Sequence, residues 1–267
     1  MNNKLLAVAL FLLNAGTSSS WAVDFQGLFN KGQGFENEQR WSEAFSTYSE
    51  ILKYEPNNAL AHYRLGTISE KLGATDTAVR SYQEALRIDP GQSDARRALE
   101  GYYVNQGVML RRNNQLDEAT RMFQQAISLG PSSANAHFEL GQVLEQRGQA
   151  GEAITEYQEA IKTDPDKSAA HARLAAVYAT QRQYENAARE YQEVLRLNPQ
   201  DPAAYHGLGV TQNELGQKDQ AIASLQQAVR FYLIAGQRDK AQPAYDLQKK
   251  LMAEKGMSPS PVPARKK

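Results

Sequence analysis

Proline punctuates this chain at a nearly fixed interval, and that interval constrains the fold more than any other feature. Prolines that close a helical stretch stand at Pro56, Pro90, Pro131, Pro165 and Pro199, separated by 34, 41, 34 and 34 residues. A ring-locked φ and a missing N–H end a helix, and a period of this length is the signature of a stacked supersecondary repeat. Alignment on the prolines gives six blocks, 25–58, 59–92, 100–133, 134–167, 168–201 and 202–235. Seven residues, Ser93 to Leu99, are left over between the second and third. They amount to about two helical turns, so they predict one continuous helix over Ser93 to Arg112 and two arms, of two and four blocks.

Equivalent positions carry equivalent residues. The eighth is Gly32, Gly66, Gly107, Gly141, Ala175 and Gly209, and the twentieth is Ala44, Ala78, Ala119, Ala153, Ala187 and Ala221. The twenty-fourth is Tyr48, Tyr82, Phe123, Tyr157, Tyr191 and Leu225, and the twenty-seventh is Ile51, Ala85, Ala126, Ala160, Val194 and Ala228. At about 100° per residue, positions 4, 7, 8 and 11 share one face of a first helix, and positions 20, 24 and 27 share one face of a second. Small residues at 8 and 20 let the two axes approach, and the aromatic at 24 fills the space beside them. A hairpin of this kind cannot bury its apolar face alone, so stability comes from stacking on its neighbours.

In block four the pattern reads His137, Leu140, Gly141, Leu144, Ala153, Tyr157, Ala160 and Pro165. This resembles the tetratricopeptide-repeat (TPR) motif, with His and Leu at two positions that the family fills with aromatics. The resemblance runs in register over 25–235 and implies an all-α fold, a right-handed α-solenoid of six TPR hairpins. It further implies a protein or peptide partner held in a concave groove, with no catalysis, no cofactor and no metal.

Caps and turns fit that reading. Asp201-Pro202 is an N-cap followed by proline at the first helical position, and Asp166 or Ser168 is expected to cap the equivalent helix one block earlier. Turns are expected at Leu72-Gly73, Asn113-Asn114, Arg147-Gly148 and Leu215-Gly216. After 235, Gly236, Ala241 and Tyr245 repeat the spacing of Gly216, Ala221 and Leu225. Residues 236–255 therefore read as a capping helix, with Asp239 to Met252 helical and Pro243 tolerated near its start. The tail 256–267 is too rich in proline and polar residues to pack.

The N-terminus is of another kind. Lys4 precedes the apolar run Leu5 to Leu13, and Ser20 and Ala22 supply the small residues a signal peptidase needs, so 1–22 reads as a signal peptide cut after Ala22. The apolar run spans only about 14 Å as a helix, against about 30 Å of hydrocarbon. The expected location is the periplasm or the exterior, and membrane contact is expected only if the leader stays uncleaved as an anchor. Cysteine is absent, which rules out disulfides and thiolate metal sites. Thirty basic and thirty acidic residues leave no net field to draw nucleic acid.

Chemistry-bearing constellations are few. His62, His137 and His171 all fall at position 4, toward the second helix, and read as packing residues. His206 falls one position later, on the other face. HExxH, a phosphate-cradling glycine loop and Gly-x-Ser-x-Gly are all missing from the sequence. What remains is the face opposite the buried one. Positions 5 and 9 place Tyr63, Val104, Val108, Phe138, Gln142, Ala172, Ala176, His206 and Val210 there, a mainly apolar strip. Arg111, Arg112, Glu139, Glu145 and Arg173 stand as a charged rim. Such a strip suits an amphipathic or extended segment. One TPR subfamily clamps a C-terminal carboxylate with Lys at position 5 and Asn at position 9. Phe29 and Gln33, then Tyr63 and Thr67, stand here instead.

Overall fold

The column of alanines at position 20 shows why the chain folds as it does. In a computed structural model that describes residues 24–258, each of these alanines is at most 1 % exposed. Each lies between a first and a second helix whose axes approach because neither carries bulk there. Among the described residues there are thirteen helices and no strand. The first hairpin is α1 (Phe25–Asn37) and α2 (Trp41–Tyr54), and the second is α3 (Ala59–Lys71) and α4 (Thr75–Ile88). Then come α5 (Ser93–Arg112) with α6 (Leu116–Leu129), α7 (Ala134–Gln146) with α8 (Ala150–Thr163), and α9 (Ser168–Thr180) with α10 (Tyr184–Leu197). The last are α11 (Pro202–Glu214), α12 (Lys218–Ile234) and α13 (Arg238–Glu254).

The chain forms two compact units that divide between Ala95 and Arg96. In the first, α2 packs on α3; in the second, α6 packs on α7, α8 on α9 and α10 on α11. Each unit is thus a stack of hairpins, the α-solenoid arrangement. The seven extra residues are helical, and α5 runs unbroken through them for 20 residues.

The eighth-position glycines sit under the aromatic rings. A Cβ at Gly141 would lie 2.7 Å from the Tyr157 ring, and one at Gly66 would lie 2.5 Å from Tyr82. The rings of Tyr48, Tyr82, Phe123 and Tyr157 are almost fully buried as a result.

Turns inside hairpins use a left-handed residue at position 15. Glycine supplies it at Gly73, Gly148 and Gly216, and Asn114 does so with a φ of 60°. The same φ is forced on Gln39 and Arg182, where a Cβ is strained by about 1 kcal/mol. Arg182 is exposed and its side chain has no hydrogen bond or ion pair among the described residues, so Arg182→Gly is expected to raise stability by up to about 1 kcal/mol, read as a higher denaturant midpoint with an unchanged slope.

One local expectation is corrected. Neither Asp166 nor Ser168 caps α9: the N-cap is Lys167, without a side-chain cap bond, because Asp166 turns outward toward Arg196 at 3.5 Å. Asp201 does cap α11, accepting from the amides of Ala203 and Ala204 at 2.9 Å. The last helices depart from the repeat pattern. Helix α12 runs past the point where the other second helices stop, and Gly236, with a φ of 71°, turns it directly into α13. Ala241 and Ala244 are buried against α12, so α12 serves as second helix of one hairpin and first helix of the next. Pro243 is the sixth residue of α13, one residue deeper than the expected start at Asp239 places it, on its exposed side.

Candidate functional site

The expected charged rim is largely an inter-hairpin ladder. Position 12 of one hairpin reaches position 6 of the next. Arg64 meets Glu36 at 3.2 Å, Arg111 meets Glu139 at 3.0 Å, and Arg173 meets Glu145 at 3.5 Å. The carboxylates at position 12 do a second job: Glu36 accepts the Tyr48 hydroxyl at 2.6 Å and Glu145 accepts that of Tyr157 at 2.8 Å. Burial, and then the bond to Glu145, push the Tyr157 hydroxyl well above the ordinary tyrosine range. The Arg111 and Glu139 side chains are only 16 % and 18 % exposed, so this pair is an internal rung. Arg173 is more open and more loosely held, and Arg112 is exposed.

Within the second unit one rung is missing. Position 12 of the fifth hairpin is Ala179 and position 6 of the sixth is Gly207, so neither can contribute a charge. Position 8 of the fifth hairpin is Ala175 where every other hairpin has glycine. The Tyr191 ring lies over Gly207 of the next hairpin: a Cβ there would meet its Cζ at 2.3 Å and its hydroxyl at 2.6 Å. Burial alone raises the Tyr191 hydroxyl above its ordinary value. Among the described residues no carboxylate holds it as Glu145 holds Tyr157.

Beside this exception lies a cleft of about 460 Å³. Phe138, Gln142, Ala172, Arg173 and Ala176, all from the predicted strip and rim, line it. The Phe138 ring also packs 5.9 Å from that of Tyr157, centroid to centroid, and the Lys167 ammonium stands 5.4 Å over its face. Sequence reasoning missed Tyr191, Val194 and Asp201, which together with Ala169, Ala203 and Ala204 complete the lining. The signal that marked them was the coincidence of Ala175, Ala179 and Gly207 as departures from their columns.

The remaining predicted residues lie elsewhere. Val104 and Val108 are partly buried against the core around Phe123 and Tyr157. His206 and Val210 are half-buried on α11 outside the cleft lining, and burial pushes the His206 imidazole below its ordinary value. Tyr63 belongs to the first unit, its ring 6.0 Å from that of Tyr82.

The position-4 histidines are packing residues with hydrogen bonds that their spacing did not announce. Nε2 of His137 and His171 donates to the carbonyls of Pro131 and Pro165 at 3.2 and 3.0 Å. Their Nδ1 atoms lie 2.7 Å from Glu156 and Glu190. His62 reaches the carbonyl of Pro56 in the same way, at 2.9 Å. These three proline turns are thus tied to the hairpins that follow them.

Stacked helical hairpins with an apolar cleft running across successive first helices define a repeat protein that works through surface contact. The chain belongs to the tetratricopeptide-repeat family. A tetratricopeptide-repeat model matches residues 29–93 and 104–171, a second TPR model matches 180–216, and a third matches 202–234. It is similar to the Hsp70-Hsp90 organizing protein 3 of Arabidopsis thaliana, 26% identical over 103 residues, which is 39% of this chain and 17% of that protein. The Photosystem I assembly protein Ycf3 of Prochlorococcus marinus (strain NATL2A) is 31% identical over 101 residues, 37% of this chain and 58% of that one. The human Protein O-mannosyl-transferase TMTC3 is 29% identical over 122 residues, but these are 13% of its length. The chain therefore matches only part of each of these relatives. Among solved structures it resembles YrrB, described as a TPR protein with an unusual peptide-binding site, with a TM-score of 0.52 at 20% identity over 78% of this chain and 97% of that one. Yeast Tom70 gives a TM-score of 0.53 at 17% identity over 80% and 44%. At such identities these two likenesses concern the fold.

Proposed function

We propose that this chain is a protein-interaction scaffold that holds a segment of a partner protein on the face formed by α7, α9 and α11, and that it works in the cell envelope during assembly of a complex. The observation that carries the reading is the cleft itself, where Phe138, Ala172 and Ala176 present apolar surface beside Gln142 and Arg173. Apolar side chains there give affinity, and polar groups at the border set the register of an extended or helical segment. A binding protein, not an enzyme, is the reading that the relatives named for organizing and assembly favour. The envelope location rests on the leader-like sequence before Val23, which lies outside the described residues.

Phe138 is packed against Tyr157, so a charge there endangers the fold as well as the surface. Ala172→Glu is the cleaner variant, because it adds a charge to the cleft without removing a core side chain. Capture of the partner after crosslinking in cells is expected to fall more than about tenfold, since a carboxylate would be desolvated against apolar surface, while helicity stays the same. Undiminished capture would remove the site assignment. Intact mass of the native protein addresses the location: a chain beginning at Val23 is expected, and retention of 1–22 would instead support an anchor.

A further inference from the structure

We propose that the cleft over Tyr191 selects an extended, acidic peptide segment, with a bulky apolar side chain on Phe138 and Ala172, a carboxylate facing Lys167 and Arg173, and a main-chain carbonyl accepting the Tyr191 hydroxyl. The inference rests on the scaffold reading above and adds the chemistry of the segment held.

Three observations converge. First, the tyrosines at position 24 in the first and fourth hairpins spend their hydroxyls on a glutamate of their own hairpin, whereas Ala179 stands where that glutamate would be for Tyr191. A hydroxyl at the wall of an apolar cleft is costly to leave without a partner, so a bound acceptor gains there what it could not gain beside Tyr157. Second, Ala179 and Gly207 stand at the two ladder positions, so no charge pair like that of Arg173 with Glu145 joins those positions between the fifth and sixth hairpins, and the Tyr191 hydroxyl lies over Gly207 in its place. Third, the two nearby cations, Arg173 in the cleft lining and Lys167 over the Phe138 ring just beside it, are weakly committed. Lys167 donates to the neutral Asn135 amide at 2.7 Å and has no ion pair with a carboxylate within 4.0 Å among the described residues. Arg173 meets Glu145 only at 3.5 Å, and that glutamate already accepts from Tyr157. On the opposite wall, Asp201 is occupied in capping α11, which orients an acidic segment with its carboxylate toward Lys167.

The test uses the full chain and three end-labelled, capped nine-residue peptides that share a central Leu and differ only in flanking Glu, Gln or Lys, with binding read by fluorescence anisotropy. The Glu peptide is expected to bind at least about threefold tighter than the Gln peptide, and the Lys peptide weakest. Tyr191→Phe is expected to weaken the Glu peptide about fivefold. Ala179→Glu, which supplies an internal acceptor for Tyr191, should have the same effect. Lys167→Gln with Arg173→Gln should erase the preference for Glu over Gln. Thermal melts identify any variant that fails to fold, and Tyr157→Phe serves as the comparison whose hydroxyl lies outside the cleft lining. Binding of none of the peptides, equal binding of all three, or a Tyr191→Phe variant that binds like the parent would each overturn the proposal. If Ala172→Glu abolishes capture of the partner in cells while the peptides show no such preferences, the acidic selectivity falls and the scaffold reading stands. If Ala172→Glu leaves capture intact, the scaffold site itself falls.

Discussion

Tyr157→Ala is expected to destabilise the second unit by about 3–5 kcal/mol, the usual cost of truncating a fully buried aromatic side chain to a methyl. The ring is 0 % exposed, lies against Gly141 with no room for a Cβ, and packs within a core of Phe123, Leu140, Leu144, Leu174 and Tyr178. No neighbouring backbone can collapse into the void without breaking the stack. The variant also strands Glu145, which loses the hydroxyl it accepts at 2.8 Å. Tyr157→Phe keeps the ring and is expected to cost about 1 kcal/mol. Tyr191→Phe removes no such bond and should stay within about 0.5 kcal/mol of the parent. Denaturation followed by circular dichroism checks the series, and similar losses for the two Tyr→Phe variants would contradict the contrast drawn between the hairpins.

The second large effect carries an unusual sign. Glycine replaced by alanine in a helix interior ordinarily gains about 0.5–1 kcal/mol. Gly101→Ala in α5, where a Cβ would meet nothing within 4 Å, is expected to show that gain. Gly207→Ala should instead lose about 1–3 kcal/mol, because its Cβ would fall 2.3 Å from the Tyr191 ring. Ala175→Gly frees the seat that the rings of the other hairpins occupy over their own glycines. The double variant Ala175→Gly with Gly207→Ala is therefore expected to recover most of the loss, with a coupling energy of about 1 kcal/mol or more. Strictly additive effects would show that Ala175 and Gly207 are unrelated exceptions.

These two cases mark what the sequence could and could not disclose. The alanine and glycine columns and the aromatic at position 24 were legible because each reflects packing within one hairpin, repeated at a fixed offset, and the continuous helix across Ser93 to Leu99 was legible because a seven-residue insertion adds about two whole turns. The charged residues were harder. Arg111, Glu139, Glu145 and Arg173 fall on the surface predicted for them, yet their spacing of 28 residues from one hairpin to the next pairs them with each other, and no periodicity within a single helix reveals that. Asp166 failed as a cap for a related reason. Sequence fixes which residues can cap a helix, whereas the position of Arg196 decides where this carboxylate turns. Tyr191 was hidden most effectively, since it obeys its own column; only the joint departure of Ala175, Ala179 and Gly207 separates it from Tyr157.

The departures also explain why the cleft lies where it does. A repeat protein with every rung filled presents a surface crossed by paired charges, and a ligand must compete with them. The stretch from Phe138 to Ala204 lacks one rung, carries small side chains at 172, 176, 179 and 203, and keeps an aromatic wall at each end in Phe138 and Tyr191. The same small residues that weaken the ladder open the surface.

The central claim is that this surface is where the chain holds its partner. Photo-crosslinking in living cells tests it directly, with the reactive side chain placed in turn at Gln142 and Ala176, which line the cleft, and at Arg189, exposed on α10. The account predicts a discrete adduct with one partner protein from Gln142 and Ala176 and none from Arg189. Adducts from Arg189 alone, or the same adduct from all three positions, would contradict it.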